Sequence, residues 1–229
     1  MFSIAIDGPS GSGKSTLAKA VAKKLGIIYV DTGALYRTIA LAIKRAGIDP
    51  ANESAVSAAL STIKLSVTFE GGVQRIFIGN TEVGDAIRTP EISLVASRVS
   101  AYPDVRAFLL DTQRSIAKSS SVVMDGRDIG TVILPNATVK IFLTADNKAR
   151  ARRRHAELLA KGEHVTYEEV LRDMDMRDEN DRTRKVAPAV QAKDAVLLDN
   201  SPLSLDETLD AVLSILKERI PLSELTIAE

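Results

Sequence analysis

Residues 8–15 read GPSGSGKS and fit the phosphate-binding pattern G-x-x-x-x-G-K-[ST] at every position. Its glycines let backbone N–H groups turn toward phosphate oxygens, and a helix that starts at its end adds its positive pole. The lysine can reach the β and γ phosphates of a nucleoside triphosphate, and the last hydroxyl can ligate Mg²⁺. We call residues 8–15 the P-loop. The residues predicted to bind the triphosphate are Gly8, Pro9, Ser10, Gly11, Ser12, Gly13, Lys14, Ser15 and Thr16.

The P-loop lies between a predicted strand and a predicted helix. An apolar run at 4–6 precedes it, helical spacing follows over 14–25, and IIYVD at 27–31 is a second strand-like run. Strand, loop, helix and strand form a βαβ unit, which predicts an α/β fold with a parallel sheet. Further buried strands are predicted at 121–125, 139–144 and 195–199, with a closing amphipathic helix at about 204–219.

Other segments of the chain show different residue patterns. Apolar and polar residues alternate in IKLSVTF (63–69), and Gly71-Gly72 separates this run from VQRIFIG (73–79), so the pattern predicts an inserted antiparallel hairpin. Helical spacing returns over 90–118 and is interrupted at Pro103. Residues 146–185 are intensely charged, and we interpret them as two polar helices that cannot build a core of their own and are free to move. A capping box is predicted at Thr166 and Glu169.

Composition excludes several classes of protein. The chain has 229 residues, enough for one core with an inserted subdomain. The 30 Lys and Arg balance 30 Asp and Glu, and aromatic residues make up only 4%, which argues against a nucleic-acid partner. There is no cysteine, no signal peptide and no apolar run of transmembrane length. We therefore expect a cytoplasmic protein with neither membrane nor nucleic-acid partners.

The P-loop leaves open whether anything receives the phosphate. A guanine-reading switch needs N/T-K-x-D, and the nearest match, residues 147–150, reads NKAR and lacks the aspartate. The remaining route is transfer of the γ-phosphoryl group to a small acceptor. Such transfer needs a second anion site, for which the planar guanidinium group of arginine is well suited.

Asp125, after an apolar run, is a candidate for orienting Mg²⁺. Asp7 also ends a strand, and we interpret it as structural. The candidate acceptor arginines are Arg37, Arg106, Arg127, Arg177 and Arg184, of which the last two are spaced with Asp181 on one predicted helix face.

Five stretches together resemble bacterial cytidylate kinases, which are nucleoside monophosphate kinases. They are DGPSGSGKST, DTGALYR, DGRDIGT, VKIFL and RDENDRTRKVAP, in the order and spacing of that family from residue 2 to roughly 219. The resemblance implies a three-layer P-loop kinase core with a five-stranded parallel sheet, a monophosphate-binding insert with short antiparallel strands, and a helical lid. We expect a single domain over 1–229, with the insert at about 63–100 and the lid at about 146–165. The implied reaction is transfer from ATP–Mg²⁺ to CMP or dCMP in a monomeric enzyme.

The resemblance also implies roles for individual residues. The catalytic set would be Lys14, Arg127 and Arg184, and the metal would be held by Ser15 and, through water, Asp125. The CMP base would be read by Ser97, Arg106 and Asp128. The acceptor phosphate would be held by Thr32, Arg37, Arg127 and Arg184, with Asp181 on a ribose hydroxyl and Arg177 beside it. Which lid arginine among residues 150–154 contacts the transferring phosphate stays open.

Three alternatives remain. One is a P-loop kinase for UMP, AMP or another small acceptor, and another is a nucleotide-dependent switch without transfer. The third is an RNA-associated protein that uses the arginine-rich tracts 150–154 and 177–185, although the acidic residues that flank them argue against it.

Overall fold

The computed structural model describes residues 1–160, 162–221 and 223–225. The chain forms two compact units: the first contains residues 1–26 and the chain from 123 onward, and the second contains residues 27–122. The insert expected at 63–100 falls within the second unit, and its bounds stay a prediction. The lid expected at 146–165 falls within the first, and its residue 161 lies outside the described residues.

The strands and helices of the described residues follow in chain order. The strands are β1 (Ser3–Asp7), β2 (Ile28–Asp31), β3 (Leu65–Glu70), β4 (Val73–Ile78), β5 (Thr81–Glu82), β6 (Val122–Gly126), β7 (Val139–Thr144) and β8 (Val196–Asp199). The α-helices are α1 (Lys14–Leu25), α2 (Thr32–Arg45), α3 (Glu53–Leu60), α4 (Pro90–Val99), α5 (Pro103–Ser119), α6 (Asn147–Ala160), α7 (Tyr167–Thr183) and α8 (Leu205–Arg219). A 3₁₀ turn covers Gly84–Ile87, and a π-helical turn covers Ile129–Ile133.

A five-stranded sheet carries the P-loop. Its strand order is β2-β6-β1-β7-β8, and β7 runs parallel to both β1 and β8, with Ile4 opposite Val139 and Ile141 opposite Val196. The apolar residues of β1, β6 and β7 are almost all fully buried, as expected of strands covered on both faces. The α/β fold and its five strands are therefore confirmed.

The second unit contains the predicted hairpin. Strands β3, β4 and β5 form an antiparallel sheet in which Leu65 pairs with Ile78 and Glu70 with Val73. Gly71 and Gly72 make the turn with φ of 58° and 79°, a region that favours glycine. The hydrophobic core of this unit is built largely from α2, α4 and α5. Helix α3 was not predicted, because only Val56 and Leu60 of its eight residues are buried and so short a stripe leaves no clear period.

The packing of helices α6 and α7 differs from one expectation. They pack against each other around a small apolar cluster of the buried Ala151, Val170 and Met174, with partly buried Leu158 and Leu171 beside it. The interpretation that this charged segment builds no core is therefore wrong, because each helix contributes one narrow strip that the surrounding charges hide in the sequence. The capping box is confirmed: Thr166 Oγ1 accepts from Glu169 N at 3.2 Å, and Glu169 accepts from Thr166 N at 2.8 Å.

A second correction concerns Arg184. Helix α7 ends at Thr183, and Arg184 has φ −58° and ψ 142°, which is not helical. Arg177, Asp181 and Arg184 therefore do not share one helix face, although Arg184 folds back toward Asp181. Of the helices the structure describes, none combines the length and apolar character needed to cross a membrane.

Candidate active site

The P-loop is held by close contacts that only glycine permits. A Cβ atom at Gly8 would lie 2.1 Å from the carbonyl oxygen of Leu143 on β7. Gly13 has φ 87° and forms the N-cap of α1, so Lys14 begins that helix. The loop therefore joins the end of β1 to the N-terminus of α1, an arrangement that binds phosphate.

Lys14 is buried beneath this loop. Its side chain donates to the carbonyl oxygen of Pro9 at 3.0 Å, and only 7% of the residue is exposed. Burial, and next the positive charge of Arg127, lowers the pKa of Lys14 to about 7. A phosphate group nearby would oppose both effects and raise the pKa of Lys14 again.

Two oxygen groups stand side by side at the start of α1. Ser15 Oγ donates to Asp125 Oδ2 at 2.6 Å, and Asp125 is buried near the end of β6. A hydroxyl and a carboxylate are the hard oxygen ligands that Mg²⁺ prefers, and Mg²⁺ with a nucleotide needs few protein ligands because phosphates and waters complete its octahedron. Within the described residues, no group of three His, Cys, Asp or Glu could hold a metal ion by itself. The pair therefore fits a nucleotide-bound Mg²⁺.

Asp7 supports the turn that follows β6. Its carboxylate accepts from the backbone N–H groups of Ile129 and Gly130, each at 2.8 Å, at the start of the π-helical turn. Burial raises the pKa of Asp7 to about 6, against the opposing effect of these hydrogen bonds. Asp7 thus fixes the backbone next to Arg127 and Asp128, in agreement with the structural role expected from the sequence.

Arginines and carboxylates alternate beside this turn. Arg127 Nε lies 2.9 Å from Asp181 Oδ2, and Arg184 approaches both Asp128 at 3.4 Å and Asp181 at 3.6 Å. Asp128 and Asp181 are buried. Burial would raise the pKa of Asp181, but the neighbouring guanidinium groups outweigh it and hold that pKa below its usual value; they belong to Arg127, Arg177 and Arg184. The structure thus brings together five predicted site residues within the first unit.

A strained backbone residue positions Arg184. Ala187 has φ 49°, and it is the one non-glycine residue with positive φ in the described parts of the chain. Its carbonyl oxygen accepts from Arg184 Nε at 2.6 Å, and Ala189 N donates to Asp181 O at 2.8 Å. Backbone strain of this kind often occurs at functional sites. The sequence gives no signal for this conformation, since a following proline favours negative φ in the residue before it.

Arg37 belongs to a separate cluster in the second unit. Asp31 Oδ2 lies 3.0 Å from both Arg37 Nη2 and Arg88 Nη1, and Asp31 Oδ1 also caps α2 through Ala34 N at 2.8 Å. Burial would raise the pKa of Asp31, but the two guanidinium groups hold it below its ordinary value. Thr32 is the buried first residue of α2. Sequence reasoning missed Arg88, because no motif marks it and 57 residues separate it from Asp31.

The remaining predicted base-reading residues also lie in the second unit. Arg106 is buried on α5, donates to the carbonyl oxygen of Ser100 at 3.1 Å, and lies 5.5 Å from the ring centroid of Tyr36. Ser97 is partly exposed on α4, and its carbonyl oxygen accepts from Ser100 Oγ at 2.8 Å. Arg106 thus has packing and hydrogen-bonding partners of its own.

The arginines of α6 have three different environments. Arg150 is buried and contacts the P-loop, Arg153 Nη2 donates to Asn200 O at 2.9 Å, and Arg154 pairs with Glu157 at 2.9 Å. Of these three arginines, Arg150 lines a cavity of about 480 Å³, together with Pro9, Arg127, Asp178 and Asp181.

Comparisons with known proteins agree with one another. The family model described as cytidylate kinase matches residues 4–218. A curated cytidylate kinase of Fervidobacterium nodosum is 48% identical over 216 residues, covering 94% of this chain and 96% of the relative. One of Thermosipho melanesiensis is 47% identical over 219 residues, covering 96% and 98%. A solved structure of an uncharacterized protein from Eubacterium ventriosum has a TM-score of 0.55 at 14% identity, covering 96% and 100%, and shows similarity of fold alone.

Proposed function

We infer the reaction from the family: this chain belongs to the cytidylate kinase family. It transfers the γ-phosphoryl group of ATP to CMP or dCMP, giving ADP and CDP or dCDP. The observation that carries this inference at the level of residues lies in the first unit. There, the P-loop with the buried Lys14 shares one compact unit with the cluster of Arg127, Asp181 and Arg184. A triphosphate site and a second set of guanidinium groups are what phosphoryl transfer between two anions needs.

The P-loop residues would hold the donor. Residues Gly8 to Thr16 would form the ATP site, with backbone N–H groups of the P-loop on the phosphates and Lys14 on the β and γ phosphates. Ser15 and Asp125 would hold Mg²⁺, Asp125 through a water molecule, and the metal supplies charge neutralisation to the phosphates when it is bound. Their 2.6 Å contact supports this assignment, because both oxygens then reach one small volume.

The acceptor would use the residues that the family resemblance assigns to CMP. Asp128, Ser97 and Arg106 would read cytosine, since a carboxylate or hydroxyl suits the N4 amine and a cation suits the N3 and O2 acceptors. Uracil has a carbonyl where cytosine has its amine, so an anionic carboxylate opposes it. Support comes from the burial of Asp128 and Arg106, because buried polar groups discriminate more strongly than exposed ones. Thr32, Arg37, Arg127 and Arg184 would hold the acceptor phosphate, with Asp181 and Arg177 near the ribose.

The chemistry needs no general base. A phosphate oxygen of CMP, already ionised near neutral pH, attacks the γ-phosphorus in line as the bond from that phosphorus to the β-phosphate bridging oxygen breaks. Lys14, Arg127 and Arg184 stabilise charge on the transferring group, and the bound geometry replaces a bimolecular encounter. Exclusion of water by α6 and α7 would limit simple hydrolysis of ATP.

A panel of nucleoside monophosphates tests the proposal. Purified protein is incubated with ATP, Mg²⁺ and each of CMP, dCMP, UMP and AMP, and diphosphate products are quantified. Formation of CDP and dCDP with the highest kcat/KM is expected. Preference for UMP or AMP would overturn the assignment of the base, and hydrolysis of ATP that no acceptor stimulates would overturn phosphoryl transfer and favour a switch. A monomeric state and a cytoplasmic location belong to the proposal and rest on the sequence.

A further inference from the structure

One ion pair binds both the backbone N–H and the backbone carbonyl of a single P-loop residue, Ser10. Ser10 N donates to Asp178 Oδ1 at 2.8 Å, and Ser10 O accepts from Arg150 Nη1 at 2.7 Å. Arg150 Nη1 also donates to Asp178 Oδ2, which closes a ring between the P-loop, α6 and α7. No feature of the sequence marks this ring, because its members are 28 and 140 residues apart.

The ring is largely buried, and Arg150 makes further contacts that hold it. The side chain of Arg150 is 5% exposed and that of Asp178 is 19% exposed. Arg150 Nε donates to Ala145 O at 3.1 Å, and its other terminal nitrogen donates to Asn147. All the hydrogen-bonding nitrogens of this guanidinium are therefore used within the protein, and the group is fixed in one orientation.

The neighbouring P-loop residues also contact these helices. A Cβ atom at Gly11 would lie 2.7 Å from Met174 Cε and 3.1 Å from Arg150 O, so the loop packs closely on α6 and α7 at this point. One turn further along α6, Arg153 donates to Asn200, whose side chain donates to Ser12 O at 3.0 Å. The outer edge of the P-loop, residues 10–12, is thus connected to α6 at two carbonyl groups.

We propose that Arg150 and Asp178 are positioning residues for the donor nucleotide: together they fix the outer edge of the P-loop so that its other N–H groups are set for the phosphates of ATP. This rests on the proposed function of the P-loop. Neither residue contacts the reacting atoms in this role. Asp178 uses the Ser10 N–H group and Arg150 the Ser10 carbonyl, so the backbone of Ser10 serves as an anchor rather than as a phosphate ligand.

The physical reason is the flexibility of a loop with three glycines in eight residues. Ordering the backbone of each residue costs conformational entropy. A loop that is already ordered before ATP arrives does not meet that cost on binding, so affinity improves without any new contact to the ligand. Loss of the ion pair should therefore weaken ATP binding and leave CMP binding nearly unchanged.

A double-mutant cycle tests the proposal on the full chain. The variants are Arg150→Gln, Asp178→Asn and the two combined, and calorimetry gives the Kd of ATP–Mg²⁺ without acceptor and of CMP without donor. Asp173→Asn, an exposed acid on the same helix, is the matched control. Each single change should raise the Kd of ATP about tenfold, as loss of a charged hydrogen bond predicts, and the double variant should add little because both residues act as one unit.

Several outcomes would overturn the positioning role. They are an unchanged ATP Kd despite a lower melting temperature, an equal rise in the Kd of CMP, or fully additive effects of the two changes. If Arg150→Gln does not fold, Arg150→Lys keeps the charge but not the fork, and its ATP Kd decides the matter in the same way. The unchanged protein is run in parallel: its failure to bind ATP or to form CDP would contradict the proposed function instead.

Discussion

Ser15 Oγ lies 2.6 Å from Asp125 Oδ2, so the first turn of α1 and the end of β6 present a hydroxyl and a carboxylate at one point. The two residues are 110 positions apart in the chain. This contact gives the Mg²⁺ assignment a geometric basis that sequence spacing could not supply.

Replacement of Asp125 by Asn should weaken the response to Mg²⁺. The amide removes the negative charge that orients the ion or its waters, and loss of such an outer partner typically costs about 10–100-fold in metal affinity. Turnover is measured against Mg²⁺ concentration at saturating ATP and CMP, and the half-saturating concentration should rise by at least about tenfold. Asp111→Asn, exposed on α5, is the control. An unaltered Mg²⁺ curve for Asp125→Asn would remove Asp125 from the metal site.

Replacement of Asp128 by Ala should reduce selectivity for CMP. The buried carboxylate is the group proposed to accept from the cytosine amine and to oppose the uracil carbonyl. The ratio of kcat/KM for CMP to that for UMP should fall by roughly tenfold or more, while ATP hydrolysis without acceptor changes little. Both substrates are assayed with the same preparation, which controls for the fraction of folded protein. Retention of the original ratio would show that another residue reads the base.

Binding of ATP should be accompanied by proton uptake near pH 7.5. Lys14, whose pKa burial lowers to about 7, is largely neutral there, and phosphate oxygens would raise that pKa and restore the proton. The affinity for ATP should therefore fall as pH rises from about 7 to 9, because part of the binding free energy is then used to protonate Lys14. Calorimetry in buffers of different ionisation enthalpy measures the uptake. In Lys14→Arg, where the side chain is always charged, the uptake should shrink; an equal uptake in that variant would assign the proton to another group.

Replacement of Asp31 by Asn should separate charge from helix capping. Asn caps helices as well as Asp, so the bond to Ala34 N can persist while Arg37 and Arg88 lose their shared carboxylate. The KM of CMP should rise severalfold. The pKa of Asp31 lies below its usual value, so its contribution to the free energy of unfolding is present at neutral pH and is lost as pH falls below about 4.

The free energy of unfolding of the Asp31→Asn variant tests whether the ion pairs of Asp31 stabilise the fold. Denaturant unfolding at pH 7 should show a deficit relative to the unchanged protein, and that deficit should shrink in acid. A deficit of the same size at pH 3 and pH 7 would show that packing, rather than the ion pairs with Arg37 and Arg88, accounts for the loss.

Patterns along the chain predicted most of the local structure. The P-loop, β1, α1 and the three later core strands depend on contiguous apolar runs and on glycine, and these signals are visible at short range. The capping box at Thr166 belongs to the same class. Errors arose where a signal was weak or nonlocal: α3 buries too few residues to show a period, and the cluster around Ala151 is divided between two charged helices.

Residue patterns along the chain were enough to identify the phosphate-binding loop, the parallel sheet and, through the resemblance of its motifs, the family. Folding alone shows which charged side chains meet: Arg150 with Asp178, Arg88 with Asp31, and Arg184 with Asp128 after the helix has already ended. Backbone conformation follows from neighbouring residues, whereas an ion pair in a buried site depends on where distant segments bring two side chains and on how little water remains around them.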